Sequence, residues 1–176
     1  MADYLLAFQT GFVYGVVFSL LFSSLLLVLI KINPEGLLDG LPPDIKARYG
    51  PVSEKTQRQR KPFVLLFFLI LLSVPLLSIR RYDLLTVGVP NYVELFVNVF
   101  TLFMVFNIVD LLILDWLVIC TITPRFIVLP GTEGMSGYKD YGFHFRGFLK
   151  GTIISLVSAL IFAGIASLGY LILGKT

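Results

Sequence analysis

Two aspartates, Asp110 and Asp115, stand in the segment NIVDLLILDW, inside one of the most apolar stretches of the chain. A carboxylate at hydrocarbon depth costs at least a few kcal/mol, so it normally faces other helices and marks an ion or proton pathway. On an α-helix, residues five apart point about 140° away from each other. We therefore expect no carboxylate pair: Asp115 lies at the headgroup level beside Trp116, and Asp110 lies about 7.5 Å deeper.

Asp110 needs polar partners at a similar depth. Asn107 lies one turn away on the same helix face. Serines at comparable depth in other apolar segments are Ser23, Ser24, Ser155 and Ser158. Two hypotheses explain such a cluster: it relays protons or cations, or it is a buried polar cluster that fixes the register of the helices.

A second group of charged and titratable residues lies in the segment YKDYGFHFRGFLK, residues 138–150. On a helix its aromatic and basic side chains form separate stripes, which is typical of a helix in the membrane interface. The residues that can contact anionic headgroups are Lys139, His144, Arg146 and Lys150. Asp140 precedes His144 by four residues and can pair with it. The alternative is an aromatic belt with cationic anchors.

Four apolar segments are long enough to cross a membrane, at about 5–30, 63–79, 92–122 and 149–173. Only 14% of the 176 residues are charged, against about a quarter in soluble domains. The first segment has no basic start and no small-residue cleavage site, which argues against a signal peptide. The sequence predicts one all-α, polytopic membrane domain, a four-helix transmembrane bundle over residues 1–176, with an interfacial helix before the fourth span.

Lysine and arginine are distributed unevenly between the connections. Of 14 such residues, only Arg80, Arg81 and Lys175 lie on one side, and the remaining 11 lie in loops 31–61 and 123–150. The positive-inside rule then makes both long loops cytoplasmic and places both termini outside. We expect an integral, multi-pass protein, in the cell membrane if the source is prokaryotic, whose basic loops contact anionic lipids of the bilayer.

Small residues recur every four positions in two of the spans, a pattern that lets helix backbones approach closely. In the first span they are Gly11, Gly15, Ser19 and Ser23. In the fourth they are Gly151, Ser155, Ala159, Ala163 and Ser167. The pattern predicts two helix–helix interfaces and leaves open whether they face each other or a second subunit.

Residue counts narrow the function classes. With one cysteine (Cys120) and one histidine (His144), a single chain cannot form a disulfide, a Cys/His zinc site or a bis-histidine haem site. We expect no cofactor, no metal site and no nucleic acid, and the lack of a catalytic constellation argues against an enzyme. The favoured function is an accessory or assembly subunit in a homo-oligomer or larger membrane complex. The alternative is a small oligomeric ion- or proton-coupled transporter or channel using Asp110, and the third class is a membrane enzyme acting on lipid headgroups.

Overall fold

A computed structural model describes residues 3–174 of the chain. Within this range the fold is helical, without strands, and four helices are long and apolar enough to cross a membrane. The α-helices are α1 (Tyr4–Ile32), a short α2 (Pro43–Tyr49), α3 (Glu54–Leu85), α4 (Tyr92–Val109) and α5 (Tyr141–Ile172). The predicted all-α four-helix bundle is confirmed.

The third long helix changes its winding partway along. It begins at a capping box in which the Asn91 and Glu94 side chains each accept the other's backbone N–H. From Asp110 to Ile122 it continues as a π-helix, here called the π segment. Hydrogen bonds there run from residue i+5 to residue i; at its end, Thr123 N–H donates to the Val118 carbonyl at 2.9 Å. Residues five apart therefore become neighbours on successive turns.

The small-residue stripe of α1 packs on α4. A Cβ on Gly15 would lie 2.7 Å from the Cβ of Val105, and a Cβ on Gly11 would overlap the backbone carbonyl of Asn98. Ser19 is buried in the same contact. Ser23, one turn further, is only half-buried. The predicted close helix contact therefore covers Gly11 to Ser19.

The small-residue stripe of α5 also faces α4. Ala159 and Ala163 are completely buried, and Gly151 lies directly against the Asn107 side chain. Ser155 is buried and Ser167 is half-buried. Both stripes contact α4, whereas no Cα atom of α1 lies within 8 Å of a Cα atom of α5. α4 is therefore the central helix of the bundle.

A buried polar contact joins three helices deep in the bundle. The Asn98 side chain is fully buried; its Oδ1 accepts from the Ser78 hydroxyl at 2.8 Å, and its Nδ2 donates to the Ala7 carbonyl at 3.1 Å. Around it pack apolar side chains of the same helices, including Val99 and Leu102. Asn98 therefore sets the register of α1, α3 and α4.

Two helices extend well beyond the predicted spans. The span predicted at 63–79 is the middle of α3, whose first turns contain the basic run before Pro62. The predicted interfacial helix and the span at 149–173 are one continuous helix, α5, with no break at its start. The two long loops are accordingly shorter than predicted, because parts of 31–61 and 123–150 belong to long helices.

The remaining loop residues fold into a small second core. Ile45 of α2 packs there with Leu41, Ile127 and Leu129, and all four are buried. Tyr138, predicted on the interfacial helix, is buried before α5, and its hydroxyl accepts the Leu129 N–H at 2.9 Å. This core closes one end of the bundle, which we call the loop end.

Candidate functional site

A cavity of about 700 Å³ opens among the long helices near the loop end. Its polar and charged lining residues are Asn107, Asp110, Asp115, His144, Arg146, Lys150, Ser155 and Ser158. Its aromatic and aliphatic lining includes Phe18, Phe67, Leu71, Phe103 and Phe106. The volume falls within the roughly 300–1,000 Å³ of ligand pockets, so the cavity is large enough for a small molecule and is amphipathic.

The π segment brings Asp110 and Asp115 to this one cavity. The prediction that they point about 140° apart is wrong, because it assumed α-helical winding. With i+5 hydrogen bonding, residues five apart occupy neighbouring turns of the same face. π-helical winding is rare, occurs mostly as single-turn bulges within α-helices, and is frequent at functional sites.

Asp115 pairs with the only histidine of the chain. Asp115 Oδ1 lies 2.9 Å from His144 Nδ1, and the two side chains are 21% and 3% exposed. The expected pairing of His144 with Asp140 is wrong: Asp140 instead caps α5 by accepting the Phe143 N–H at 2.8 Å. Asp115 is thus a partner of histidine, and its position at the headgroup level stays a prediction. The other ring nitrogen of His144, Nε2, is enclosed without a hydrogen-bond partner in residues 3–174.

Asp110 borders the cavity half-buried. Among the described residues its carboxyl group has no hydrogen bond and no ion pair. A carboxyl group placed this way is free to take a proton or a cation from the cavity. Asp110 therefore differs from Asp115, whose carboxyl group is already committed to His144.

The predicted cluster around Asp110 forms only in part. Asn107 is buried and donates through Nδ2 to the Phe148 carbonyl at 3.0 Å and to Thr152 Oγ1 at 3.1 Å, which ties α4 to α5. Ser155 and Ser158 border the cavity with Asp110. The two serines of α1, Ser23 and Ser24, are not among the residues that line it.

The predicted headgroup contacts also divide into two groups. Lys139 donates from Nζ to the Thr121 carbonyl at 3.0 Å and to Thr123 Oγ1 at 2.7 Å, so it caps the end of the π segment. Arg146 and Lys150 remain exposed and border the cavity. Lys139 therefore stabilises the end of a helix, whereas Arg146 and Lys150 add positive charge at the cavity.

Sequence reasoning missed the contact between Asp115 and His144, although a signal was present. Consecutive spans are antiparallel, so the end of the third and the start of the fourth lie at one depth. Trp116 confirms this depth match, since its Nε1 donates to the Tyr141 carbonyl at 3.3 Å. Depth matching therefore favours Asp115 as the partner of His144.

Four apolar helices around a charged cavity define this chain as a multi-pass helical membrane protein. No protein-family model matches it, and no curated protein or solved structure is similar to it. Within residues 3–174, no group of three or more His, Cys, Asp or Glu side chains is arranged to hold a metal ion.

Proposed function

We propose that the protein is a small membrane transporter that moves protons or cations through the loop-end cavity. The observation that carries this proposal is the Asp115–His144 pair beside the unpaired Asp110 on one cavity wall. Carboxyl and imidazole groups in sequence are the usual proton relay of membrane pumps and transporters. Here they extend from the loop end toward the middle of the bundle.

The packing of the bundle supports a cavity with access from one side. Beyond Asn107 and Phe103, the space between the helices is filled by buried apolar side chains such as Leu95, Val99 and Leu102. Under the predicted topology, the cavity faces the cytoplasmic side and the outer half is closed. Transport then requires the helices that border the cavity to move relative to α4.

The small-residue stripes no longer favour an assembly subunit. That hypothesis depended on them as surfaces for a partner, but Gly11, Gly15, Ala159 and Ala163 pack inside the chain against α4. A hydrolytic role is also less favoured, because the hydroxyl of Ser155 is directed to the Gly151 carbonyl of its own helix at 2.8 Å. A nucleophile would have to donate to the histidine instead.

The proposal is tested by reconstituting the purified protein into liposomes that enclose a pH-sensitive dye. A potassium diffusion potential then drives proton entry. We expect the wild type to acidify the lumen, and Asp110→Asn and His144→Gln to slow this by at least about tenfold, since a positioned proton carrier contributes that much or more. Glu54→Gln, at an exposed acid on the first turn of α3, should match the wild type.

Asp110→Leu separates transport from folding. If it retains the elution profile and melting temperature of the wild type but loses flux, Asp110 acts in transport. Two results contradict the proposal: wild-type liposomes that pass neither protons nor Na⁺ or K⁺ above empty liposomes, and Asp110→Asn liposomes with undiminished flux.

A further inference from the structure

We infer that the cavity binds a phospholipid, with its phosphate against Arg146 and Lys150 and an acyl chain against the aromatic side chains. This inference goes beyond the proposed function, because it names a second ligand of the same cavity. It follows from three features of the site: two available cations, an apolar interior and an opening toward the bilayer.

The two cations lie together on the cavity lining, and only Arg146 makes an ion pair among the described residues. Arg146 and Lys150 are four residues apart on α5, so they share one helix face. Arg146 makes only a long contact of 3.9 Å with the exposed carboxylate of Asp140. Lys150 has no ion pair among residues 3–174. A guanidinium and an ammonium side by side suit a phosphate, with Arg supplying a planar fork of donors.

The interior of the cavity is hydrocarbon-like. Phe67 and Leu71 of α3 and Phe103 and Phe106 of α4 all line it. A soluble anion would gain nothing from this surface, whereas an acyl chain would bury its methylene groups there at about 0.8 kcal/mol each. A cavity lined by both cations and aromatic side chains is complementary to an amphiphile.

The cavity also reaches the outer surface of the bundle. Ile154 of α5 lines it and is nevertheless 65% exposed. Phe67 of α3 also lines the cavity and is half-buried. A lipid can therefore enter sideways between α3 and α5, with its headgroup at the level of Arg146 and Lys150 in the leaflet nearer the loop end.

The chain supplies its own probe, since Trp116 is the only tryptophan and follows the cavity residue Asp115. Phosphatidylglycerol with brominated acyl chains is titrated into the detergent-solubilised protein while Trp116 fluorescence is recorded. We expect saturable quenching that Arg146→Gln/Lys150→Gln weakens by at least about tenfold, because hydrogen bonds to two charged groups are lost. Arg58→Gln/Lys55→Gln, which removes the same charge from the exposed start of α3, should bind like the wild type.

Three further binding measurements distinguish a phospholipid from a free phosphate ion. Brominated diacylglycerol, which has the chains without the phosphate, should quench weakly and without saturation. Leu71→Gln, in the apolar wall, should weaken binding of the phospholipid. If inorganic phosphate at millimolar concentration displaces the lipid completely, the site is for a free anion and the inference is wrong.

The inference also fails if the double variant binds brominated phosphatidylglycerol like the wild type, or if diacylglycerol binds equally well. Because quenching measures equilibrium binding, it is independent of ion flux. Lipid binding without flux contradicts only the transport proposal, and flux without cation-dependent lipid binding contradicts only the lipid assignment.

Discussion

His144 Nδ1 lies 2.9 Å from Asp115 Oδ1 and joins the first turn of α5 to the middle of the π segment. The imidazole is almost completely enclosed, while the carboxyl group keeps contact with the cavity. Because the pair is largely removed from solvent, each side chain depends on the other to satisfy its polar atoms. This contact therefore contributes both to the proposed relay and to the attachment of α5 to the third long helix.

A double-mutant cycle should detect this dependence. We expect Asp115→Ala and His144→Ala each to lower the free energy of unfolding, and the double variant to lose less than the sum of both. The coupling should be on the order of 0.5–3 kcal/mol, the range for residues in direct contact. Unfolding in mixed micelles, followed by Trp116 fluorescence, supplies the four values. Strict additivity would show that the pair does not form in the folded protein.

Substitution by alanine should change the stability of the protein in opposite directions at two glycines. Gly11→Ala places a methyl group on the Asn98 carbonyl oxygen, a backbone atom that cannot move aside, and should cost about 1–3 kcal/mol. Gly164→Ala adds a methyl group within α5 where nothing lies within 4 Å. It should stabilise by about 0.5–1 kcal/mol, because alanine loses less backbone entropy in a helix.

Melting temperatures of both glycine variants in the same detergent test this contrast. Equal shifts in the two proteins would mean that α1 does not approach α4 closely at Gly11.

Glu35 should make the stability of the loop end depend on pH. Burial raises the pKa of Glu35, but hydrogen bonds from Ser53 and Thr56 and the charge of Arg60 outweigh burial and hold the pKa below its ordinary value of 4.5. Ser53 N–H and Oγ donate to the carboxylate at 2.5 and 2.7 Å. A lowered acid pKa means that the ionised group stabilises the fold fully above pH 4.5, and that this contribution disappears as the pH falls through the lowered pKa.

Glu35→Gln removes the charge at every pH. At pH 7 it should cost about 1.5–3 kcal/mol, the contribution of hydrogen bonds to a charged group. The difference in melting temperature from the wild type should persist down to about pH 4.5 and shrink below it. Glu54→Gln, at a highly exposed acid, serves as the control. A difference that grows on acidification would reverse the sign of the predicted dependence.

Membrane orientation can be read by cysteine labelling. The single cysteine, Cys120, is first replaced by alanine, and a new cysteine is placed at Val87 or at Lys55. Val87 is fully exposed in the connection between α3 and α4, on the side predicted to be outside. An impermeant maleimide added to intact cells should label Val87→Cys and should reach Lys55→Cys only after permeabilisation. The reverse pattern would place both termini inside.

The four spans could be predicted because length and hydropathy are local properties. A chain in lipid must satisfy its backbone hydrogen bonds within each helix, so about 20 apolar residues suffice to identify a span. The small residues of α1 and α5 could likewise be identified as packing surfaces from their spacing alone. The predicted ends of the helices were less accurate, because α3 and α5 continue through polar residues that hydropathy assigns to loops.

The site could not be predicted in the same way, because it depends on helix winding and on contacts between helices. Asp110 and Asp115 share a cavity because the π segment winds differently from an α-helix. A prediction that assumes a rotation of 100° per residue along the whole helix does not include this change. The partner of His144 was decided by the relative depth and rotation of two helices rather than by its neighbour Asp140. The sequence by itself determined a four-helix membrane protein with acids in its third span. Only the tertiary structure decided which groups those acids face, because contacts between helices depend on packing that spacing within one helix does not specify.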